Sequence, residues 1–312
     1  MEIQAPFGFV TGCHAGDKFM VGATLASMRH YCPDVPICLI ADGDVDVSDL
    51  EREYGLIVLR VDELPSKAMR EMVGGSYRVK LAAMWEGPFE HYVWMDSDAI
   101  VWGDFTEQVR TDVDFQIFWP EVSIPADADE VPSWLPHFYF ELDQLKKFDP
   151  EFEWRGHPYF SAGVYACRRN VISYEEWRKV EGWAQQESGL FQFGDQGILN
   201  YLVHSKSQRG EIKTACSDLQ WSRSFERDSI EKDCKQAGWH FPEQVDKPMI
   251  LHFCGRKPFV FDFKSYSRPF TIARLEHHRR HHRLLVAWIH IFLEDMFILQ
   301  GKLKGRCRSS PA

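Results

Sequence analysis

Short apolar runs alternate with longer amphipathic segments along the first hundred residues of the chain. The runs are bounded by Gly, Pro or Asp, which is typical of buried strands, and the amphipathic segments repeat their apolar residues with a helical period. The predicted strands are 7–11, 37–41, 56–61 and the run ending at Met95, and the predicted helices are 17–30 and 66–85, the second interrupted at Gly74-Gly75. Strands and helices that alternate with short connections predict an α/β fold with a mostly parallel central sheet flanked by helices.

Residues 91–98 are the segment around which the candidate chemistry is arranged, because an apolar strand ends there in Asp96-Ser97-Asp98. Alternation along an extended backbone places both carboxylates on one side. Two carboxylates at the end of a core strand repel each other and are costly to desolvate, so they favour a bound cation. Oxygen ligands suit Mg²⁺ or Mn²⁺ better than Zn²⁺. The alternative is that the two aspartates cap a following helix, and the tripeptide alone leaves both interpretations open.

Polar residues also follow the other predicted strands. Thr11, Asp42 and Asp96 all sit at the carboxyl ends of strands, where sheets of this kind bind their ligands. Gly12 and Gly16 do not form a GxGxxG motif, so support for a dinucleotide fold is weak.

The pattern changes after residue 118. Residues 119–158 contain many prolines, acidic residues and aromatics. A long irregular insertion in a compact domain is usually functional or disordered, and so many aromatic residues argue against disorder. Beyond it the pattern predicts a strand at 159–167, helices at 174–186 and 194–203, and a last strand at 249–252.

Composition and charge narrow the function classes. The chain has 312 residues, of which 45% are apolar and 14% aromatic, as in soluble globular proteins. Residues 274–308 carry eight Lys/Arg and three acidic residues, whereas the remainder carries 28 basic and 43 acidic residues. An acidic body argues against nucleic-acid binding. The eight cysteines lack the spacing of metal ligands, so we expect them to be reduced thiols. No apolar leader segment follows Met1, so we expect a cytoplasmic protein.

Five motifs in a fixed order make the sequence resemble a known family. They are Phe9-Val10-Thr11, Asp96-Ser97-Asp98 with Lys80 sixteen residues before it, and the segments 159–164 (YFSAGV), 193–200 (FGDQGILN) and 251–258 (LHFCGRKP). Over roughly residues 7–260 the chain is similar to glycosyltransferase family 8, which includes glycogenin and bacterial lipopolysaccharide galactosyltransferases.

The resemblance implies a GT-A fold with a Rossmann-like sheet over residues 1–273, a nucleotide-sugar donor that is UDP-linked, a divalent metal (Mn²⁺ or Mg²⁺) and retention of anomeric configuration. It implies that the metal ligands are Asp96, Asp98 and His252. The residues that it implies for donor binding are Thr11, Gly12, Lys80, Ser97, Ser161, Gly255, Arg256 and Lys257. Asp195 and Gln196 would face the transferred sugar, and Lys257 would assist the departing diphosphate.

Three positions depart from the family pattern. Lys257 follows His252 by five residues where the family has six, and Arg256 stands beside it, so both are candidates for the diphosphate contact. Ser161 stands where the family commonly has asparagine, and Gln192 where the glycogenins carry an additional aspartate. Because these two belong to the sugar pocket, the donor sugar does not carry over from the family.

Two of the candidate site residues also have simpler roles to weigh. Aspartate is a favoured N-cap, and the helix at 194–203 opens at Asp195, so its carboxylate faces a sugar only if it is not used as a cap. A lone His252 would more often be a core histidine with a hydrogen-bond partner. Its position before Gly255 and a basic pair favours the ligand role.

Three other functions compete with glycosyl transfer. A phosphohydrolase or nucleotidyltransferase would need further carboxylates for a second ion, and the strand ends supply no good candidate. A nucleotide-sugar-binding protein without transfer activity would not need all of the predicted ligands and Asp195. A self-glycosylating primer would use a tyrosine, and the sequence marks none.

The insertion and the C-terminal extension suggest partners. Aromatic rings suit the C–H faces of sugars, so we hypothesise that Trp134, Phe138, Tyr139 or Trp154 lines a cleft for a glycan, lipid-linked or protein acceptor. The alternative is that these rings fold the insertion onto the core.

The pattern of residues 274–312 predicts a basic, amphipathic helical extension. Its wide apolar face predicts peripheral contact with the cytoplasmic face of a membrane, or contact with the catalytic domain or a second subunit.

Overall fold

The computed structural model of the protein describes residues 2–75, 77–222, 228–254, 258 and 265–308. Its strands are β1 Ala5–Cys13, β2 Ile37–Ala41, β3 Ile57–Arg60, β4 Phe89–Met95, β5 Ala99–Trp102, β6 Phe115–Ile117, β7 Pro120–Ser123, β8 Pro158–Phe160, β9 Val164–Arg168, β10 Thr214–Cys216, β11 Gln220–Ser222 and β12 Met249–His252. Its helices are α1 Lys18–Tyr31, α2 Ser48–Tyr54, α3 Lys67–Val73, α4 Lys80–Glu86, α5 Leu135–Phe138, α6 Leu142–Leu145, α7 Tyr174–Gln186, α8 Asp195–Gln208, α9 Asp228–Ala237, α10 Arg268–Arg279 and α11 Leu284–Arg308.

A seven-stranded sheet has the order β10-β6-β9-β4-β1-β2-β3. β1 lies between β4 and β2 and is parallel to both, and β3 continues the parallel half. β9 runs antiparallel to its two neighbours, β4 and β6. β2 is buried along its whole length and β1 from Gly8 to Cys13, as expected for parallel strands covered on both faces. The predicted α/β fold with a mostly parallel sheet is therefore confirmed.

Several predicted elements match their observed bounds, including β2, α7 and β12. The single strand predicted at 159–167 is wrong, because β8 and β9 are separate strands joined by a turn at residues 161–163. That turn is held on both sides, since the Gly163 N–H donates to Ser161 Oγ (3.4 Å) and its carbonyl accepts from the Asp96 N–H (2.9 Å). Helix α8 runs to Gln208, beyond the predicted end at residue 203.

The insertion at 119–158 contains short elements rather than no structure. β7 pairs antiparallel with β8, and α5 and α6 are helices of four residues each. Its apolar residues join the main core, in which Tyr139, Phe140 and Trp154 are all buried. The aromatic residues of the insertion thus pack it against the main core.

The chain folds into two compact units. The first comprises Met1–Ala15, Val35–Asp96 and Phe105–Trp221, and it contains the seven-stranded sheet and the main core. The second comprises Gly16–Asp34, Ser97–Asp104 and Ser222–Ala312. In the second unit β12 pairs antiparallel with β5, α1 packs on α10, and α10 packs on α11. The sequence-based boundary at residue 274 stays a prediction.

Among the described residues, no helix combines the length and the apolar character needed to cross a membrane.

Candidate functional site

The carboxyl ends of β1, β2 and β4 meet at one edge of the sheet, as predicted. Thr11 on β1 is paired in register with Met95, the residue before Asp96. The Asp42 N–H donates to the Cys13 carbonyl (2.8 Å), which fixes the end of β2 beside the end of β1. The Asp42 carboxylate in turn accepts from the Gly75 N–H (2.7 Å). This edge therefore gathers polar groups from elements that are distant in sequence.

Lys80 is the buried centre of this edge. It is the first residue of α4, and its ammonium lies 2.8 Å from Asp195 Oδ2 and 3.6 Å from Asp96 Oδ1. It also donates to the Ala162 carbonyl in the β8–β9 turn (3.0 Å). The lysine thus joins three segments that the sequence motifs had assigned to the site separately.

The charges of this cluster are set by burial and by each other. Burial lowers the pKa of Lys80, but the nearby carboxylates of Asp195 and Asp96 raise it further, so the net shift is upward and the side chain stays cationic. Burial raises the pKa of Asp195, and the charge of Lys80 opposes this shift without cancelling it. The cluster therefore places a fixed positive charge between two acidic groups.

Asp195 is positioned by an unusual helix start rather than by capping. The N-cap of α8 is Gly194, with φ +61°, and Phe193 before it also has a positive φ of +47°. Asp195 is the first helical residue, and its carboxylate pairs with Lys80, so the interpretation of Asp195 as the N-cap is wrong. At Gly197 a Cβ would lie 2.0 Å from the Tyr139 carbonyl, so only glycine allows this close packing on the insertion.

The other residues predicted to face the sugar are held by backbone contacts. The Gln196 side-chain amide donates to the Phe138 carbonyl (3.1 Å). Ser161 is buried in the β8–β9 turn. Sequence reasoning missed Asn200, a fully buried amide whose Oδ1 accepts from the Phe160 N–H and whose Nδ2 donates to the Phe160 carbonyl. The position of this asparagine within the apolar run 198–203 was the available signal.

Asp96 belongs to the first unit and is oriented by Trp94. The indole N–H of Trp94 donates to Asp96 Oδ1 (2.8 Å), two residues along the chain. The same ring lies 6.0 Å from the Lys80 ammonium. The carboxylate is therefore fixed at the strand end by a neighbouring donor and a cation.

In the second unit, Ser97 and Asp98 are tied to α1 and β12. Thr24 Oγ1 donates to the carbonyls of Ser97 (2.9 Å) and Ala99 (2.8 Å), and Ser97 Oγ donates to Asp17 Oδ2 (2.9 Å). Sequence reasoning had not identified Asp17. β5 begins at Ala99, so the alternative that the two aspartates cap a following helix is wrong.

His252 and Asp98 are both buried and lie side by side in the second unit. His252 is the last residue of β12, and the Phe253 N–H donates to the Asp98 carbonyl (2.9 Å). The imidazole Nε2 lies 3.4 Å from Asp98 Oδ1. Asp96, at the end of the first unit's β4, precedes Asp98 by two residues in the sequence. A carboxylate and an imidazole side by side fit a divalent cation that accepts mixed oxygen and nitrogen ligands.

Thr11 and Gly12, which were predicted to contact the nucleotide, lie inside β1. Thr11 Oγ1 is buried and has no hydrogen-bond partner among the residues that the structure describes. Gly12 has a packing reason of its own, because an added Cβ would meet Val79 at 2.8 Å. Gly255, Arg256 and Lys257 lie outside the described residues.

The predicted acceptor aromatics divide into two groups. Tyr139 and Trp154 are buried in the core and Trp134 is partly buried against it, so for these rings the packing alternative holds. Phe138 is exposed (46%) and stacks on Phe193, which is 64% exposed, with 5.9 Å between ring centroids. Phe193 was not among the predicted acceptor residues, and its position before Gly194-Asp195 was the signal that could have identified it.

Comparisons with known proteins give the fold. No protein-family model matches the sequence, and a search of curated proteins finds no match. The crystal structure of the galactosyltransferase LgtC in complex with donor and acceptor sugar analogues is similar over 88% of this chain and 95% of its own, with a TM-score of 0.50 and 16% identity. The apo structure of the bifunctional glycosyltransferase WbbM is similar over 94% of this chain and 52% of its own, with a TM-score of 0.50 and 13% identity. The GT-A glycosyltransferase fold that the family resemblance implied is therefore confirmed.

Proposed function

We propose that the protein is a metal-dependent, retaining glycosyltransferase that moves a hexose from a nucleotide sugar, UDP-linked, to a glycan, lipid-linked or protein acceptor. The observation that carries the proposal is the buried Lys80, which holds Asp195 at 2.8 Å and Asp96 at 3.6 Å. Burying the charged groups of Lys80 and Asp195 is costly, and the fold gains little stability from it. A preorganised electrostatic site accounts for the arrangement, because reactions that shift charge are accelerated by fixed charges.

The proposed metal ligands are Asp96, Asp98 and His252. Their donor set supports Mn²⁺ or Mg²⁺, since carboxylates suit both ions and an imidazole favours the softer Mn²⁺. A divalent cation held by them would offset the negative charge that develops on the departing diphosphate. Arg256 and Lys257 are both candidates for assisting the diphosphate.

Asp195 and Gln196 are proposed to contact the transferred hexose. A carboxylate paired with Lys80 at 2.8 Å is a weaker nucleophile than an unpaired one, which favours front-face displacement over a covalent sugar–Asp195 intermediate. In that step the bond from the anomeric carbon to phosphate oxygen breaks, and a bond to the acceptor oxygen forms on the same face. The acceptor hydroxyl proton passes to the departing phosphate oxygen. Gln196 is uncharged at neutral pH and serves as a hydrogen-bonding group.

The acceptor is proposed to stack on the exposed rings of Phe138 and Phe193. Gln196 donates to the Phe138 carbonyl, so the stacked rings lie next to the residues proposed to face the sugar. An exposed aromatic surface suits the C–H face of a sugar ring, which is apolar. The positive φ of Phe193 supports a functional role, because strained backbone of this kind is concentrated at binding and catalytic sites.

The proposal is tested by a donor screen. The purified protein is incubated with Mn²⁺ and each common nucleotide sugar, and the released nucleotide is measured with and without candidate sugar acceptors. We expect one donor to be consumed, and we expect Asp195→Asn and Asp98→Asn to lose this activity while keeping the fold. A protein that binds a nucleotide sugar but releases no nucleotide with any acceptor would instead be a nucleotide-sugar-binding protein.

Self-glycosylation is the second candidate function, and it is separated by the same assay. A self-glycosylating primer gains hexose mass on its own chain in the absence of an added acceptor, which intact-mass spectrometry detects. Unchanged mass combined with acceptor-dependent nucleotide release excludes it.

A further inference from the structure

Helix α11 has its polar and apolar sides reversed relative to an ordinary surface helix. A surface helix normally turns its apolar side to the protein and its charged side to water. In α11 the acidic residues Glu294 and Asp295 face α10, and Asp295 is completely buried. Most of its large apolar residues lie on the opposite side and are exposed.

The inward side of α11 is held by a buried arginine of α10. Arg274, 1% exposed, donates from Nη1 to Asp295 Oδ1 (2.7 Å), from Nη2 to Glu294 Oε2 (2.6 Å) and from Nη2 to the Ile291 carbonyl (3.0 Å). His278 Nε2 lies 2.7 Å from Glu294 Oε1. Among the described residues, a small apolar cluster accompanies these contacts, formed by Leu275, Ala287 and Ile291 of α10 and α11. The rotation of α11 is therefore fixed by hydrogen-bonded charges.

The outward side of α11 is a stripe of large apolar residues at helical spacing. Its most exposed members are Leu285 (74%), Leu293 (57%) and Phe297 (69%), and Ile289, Phe292 and Met296 lie among them. With a rise of about 1.5 Å per residue, the stripe from Leu285 to Phe297 is about 18 Å long. A contiguous exposed apolar surface of this length is unusual for a monomer and marks an interaction site.

Basic residues stand at both ends of this stripe. Arg280 and Arg283 are exposed before Leu284, and the sequence continues after Phe297 with Lys302, Lys304, Arg306 and Arg308. The helix has two acidic residues, and both are paired with Arg274 on the inward side. The charged residues that flank the stripe in the sequence are therefore basic, although the rest of the chain is strongly acidic.

We propose that the apolar stripe of α11 is a docking surface for an anionic lipid membrane, with the helix lying in the plane of the interface. An amphipathic helix with exposed Leu, Ile and Phe enters the headgroup–acyl boundary, and flanking Lys and Arg are attracted to anionic headgroups. A second copy of the chain is a poorer occupant. Because both ends of the stripe are basic, a two-fold pairing through it brings like charges together in the parallel and in the antiparallel arrangement.

The proposed docking of α11 on a membrane is independent of the proposed transfer reaction, and the experiment that tests it does not measure catalysis. The full chain is sedimented with vesicles of phosphatidylcholine, with and without phosphatidylserine, at low and high salt. We expect binding to the anionic vesicles that weakens with added salt. The variant Leu285→Ser/Leu293→Ser/Phe297→Ser should bind at least about tenfold more weakly, because each large apolar side chain contributes on the order of a tenfold factor when it is buried in lipid.

A matched control replaces exposed apolar residues elsewhere, Ile3→Ser/Val131→Ser, and should bind as the parent does. All substituted side chains are exposed, so unchanged melting curves are expected to show that both variants fold. The proposal is overturned if the parent stays in the supernatant with anionic vesicles at low salt, or if the α11 variant binds equally well. It is also overturned if the parent is a lipid-indifferent dimer that the α11 variant converts to a monomer.

Discussion

Lys80 and Asp195 lie 115 residues apart in the chain and form a buried ion pair, with 2.8 Å between Nζ and Oδ2. Both side chains are almost wholly removed from solvent. Desolvation offsets much of the attraction within such a pair, but removing one partner leaves the other as an uncompensated buried charge. Because Asp96 Oδ1 also lies 3.6 Å from the same ammonium, the single positive charge of Lys80 offsets part of the negative charge of both carboxylates.

Lys80→Met should lower the free energy of unfolding by roughly 3–5 kcal/mol, because it leaves the buried Asp195 without its cation. The double variant Lys80→Met/Asp195→Asn should recover part of this loss, since the buried charge is then absent. Urea denaturation of each protein measures both effects. Lys147→Met is the matched control, because Lys147 pairs with Glu187 at a comparable distance (2.9 Å) but is exposed, and its cost should stay below about 1 kcal/mol. An equal cost for both lysines would contradict the role given to Lys80.

Mn²⁺ should raise the melting temperature of the parent protein, and neither Asp98→Asn nor His252→Gln should respond. A ligand present at about a hundred times its dissociation constant stabilises the fold by about 2.7 kcal/mol, which thermal unfolding detects readily. Removing one of the predicted ligands should also cost about 3 kcal/mol of transition-state stabilisation. Chelation with EDTA should abolish nucleotide release, and Mn²⁺ should restore it better than Ca²⁺. Asp112→Asn, an exposed control, should respond to Mn²⁺ like the parent.

Phe138→Ala and Phe193→Ala should each raise the acceptor KM by about tenfold, because removing an aromatic ring from a binding surface costs on the order of 1.4 kcal/mol. Hydrolysis of the donor in the absence of acceptor should be unchanged, since neither ring is proposed to touch the reacting bond. Initial-rate kinetics with varied acceptor separate the two effects. Ile3→Ala controls for removal of an exposed apolar side chain in the same unit. Unchanged acceptor KM in both variants would place the acceptor elsewhere.

Trp154→Ala should instead destabilise the protein by about 3–5 kcal/mol, because the ring is buried in the main core. Where enough folded protein remains, its acceptor KM should match that of the parent. Chemical denaturation and initial-rate kinetics on the same preparation distinguish this packing role from the binding role that the sequence had suggested.

The stacked histidines His157, which is half-buried, and His204, which is buried, should make the fold sensitive to acid. Burial lowers the pKa of His204 well below its ordinary value of 6.5, and burial also lowers the pKa of His157, whose ring stacks on it at 4.6 Å. Below about pH 6.5 these histidines bind protons in the unfolded chain but stay neutral in the folded chain. Their contribution to the free energy of unfolding is therefore complete above that pH and is lost as the pH decreases. His204→Gln should flatten this decline in urea denaturation measured from pH 7 down to pH 5. An equally steep decline in the variant would assign the acid sensitivity to other groups.

The amino-acid sequence by itself determined many of the strands and helices. Apolar runs and their boundaries predicted β2 and β12, and helical periodicity predicted α7, because these elements report local propensity and burial. The carboxyl ends of parallel strands share one edge of the sheet, so the sequence alone predicted that Thr11, Asp42 and Asp96 lie there. The order of the motifs indicated the GT-A fold, which the solved structures confirm.

Only the tertiary structure decided which side chains are covered and which distant residues meet. Aromatic content predicted rings in the insertion but did not distinguish the buried Trp154 from the exposed Phe138, because burial depends on what packs above each ring. The Lys80–Asp195 pair depends on two helix starts brought together by the sheet order, which local pattern does not encode. The rotation of α11 likewise depends on the contact of Glu294 with Arg274, twenty residues earlier in the chain. The sequence shows that α11 has a polar and an apolar face, but it does not show which face packs against α10.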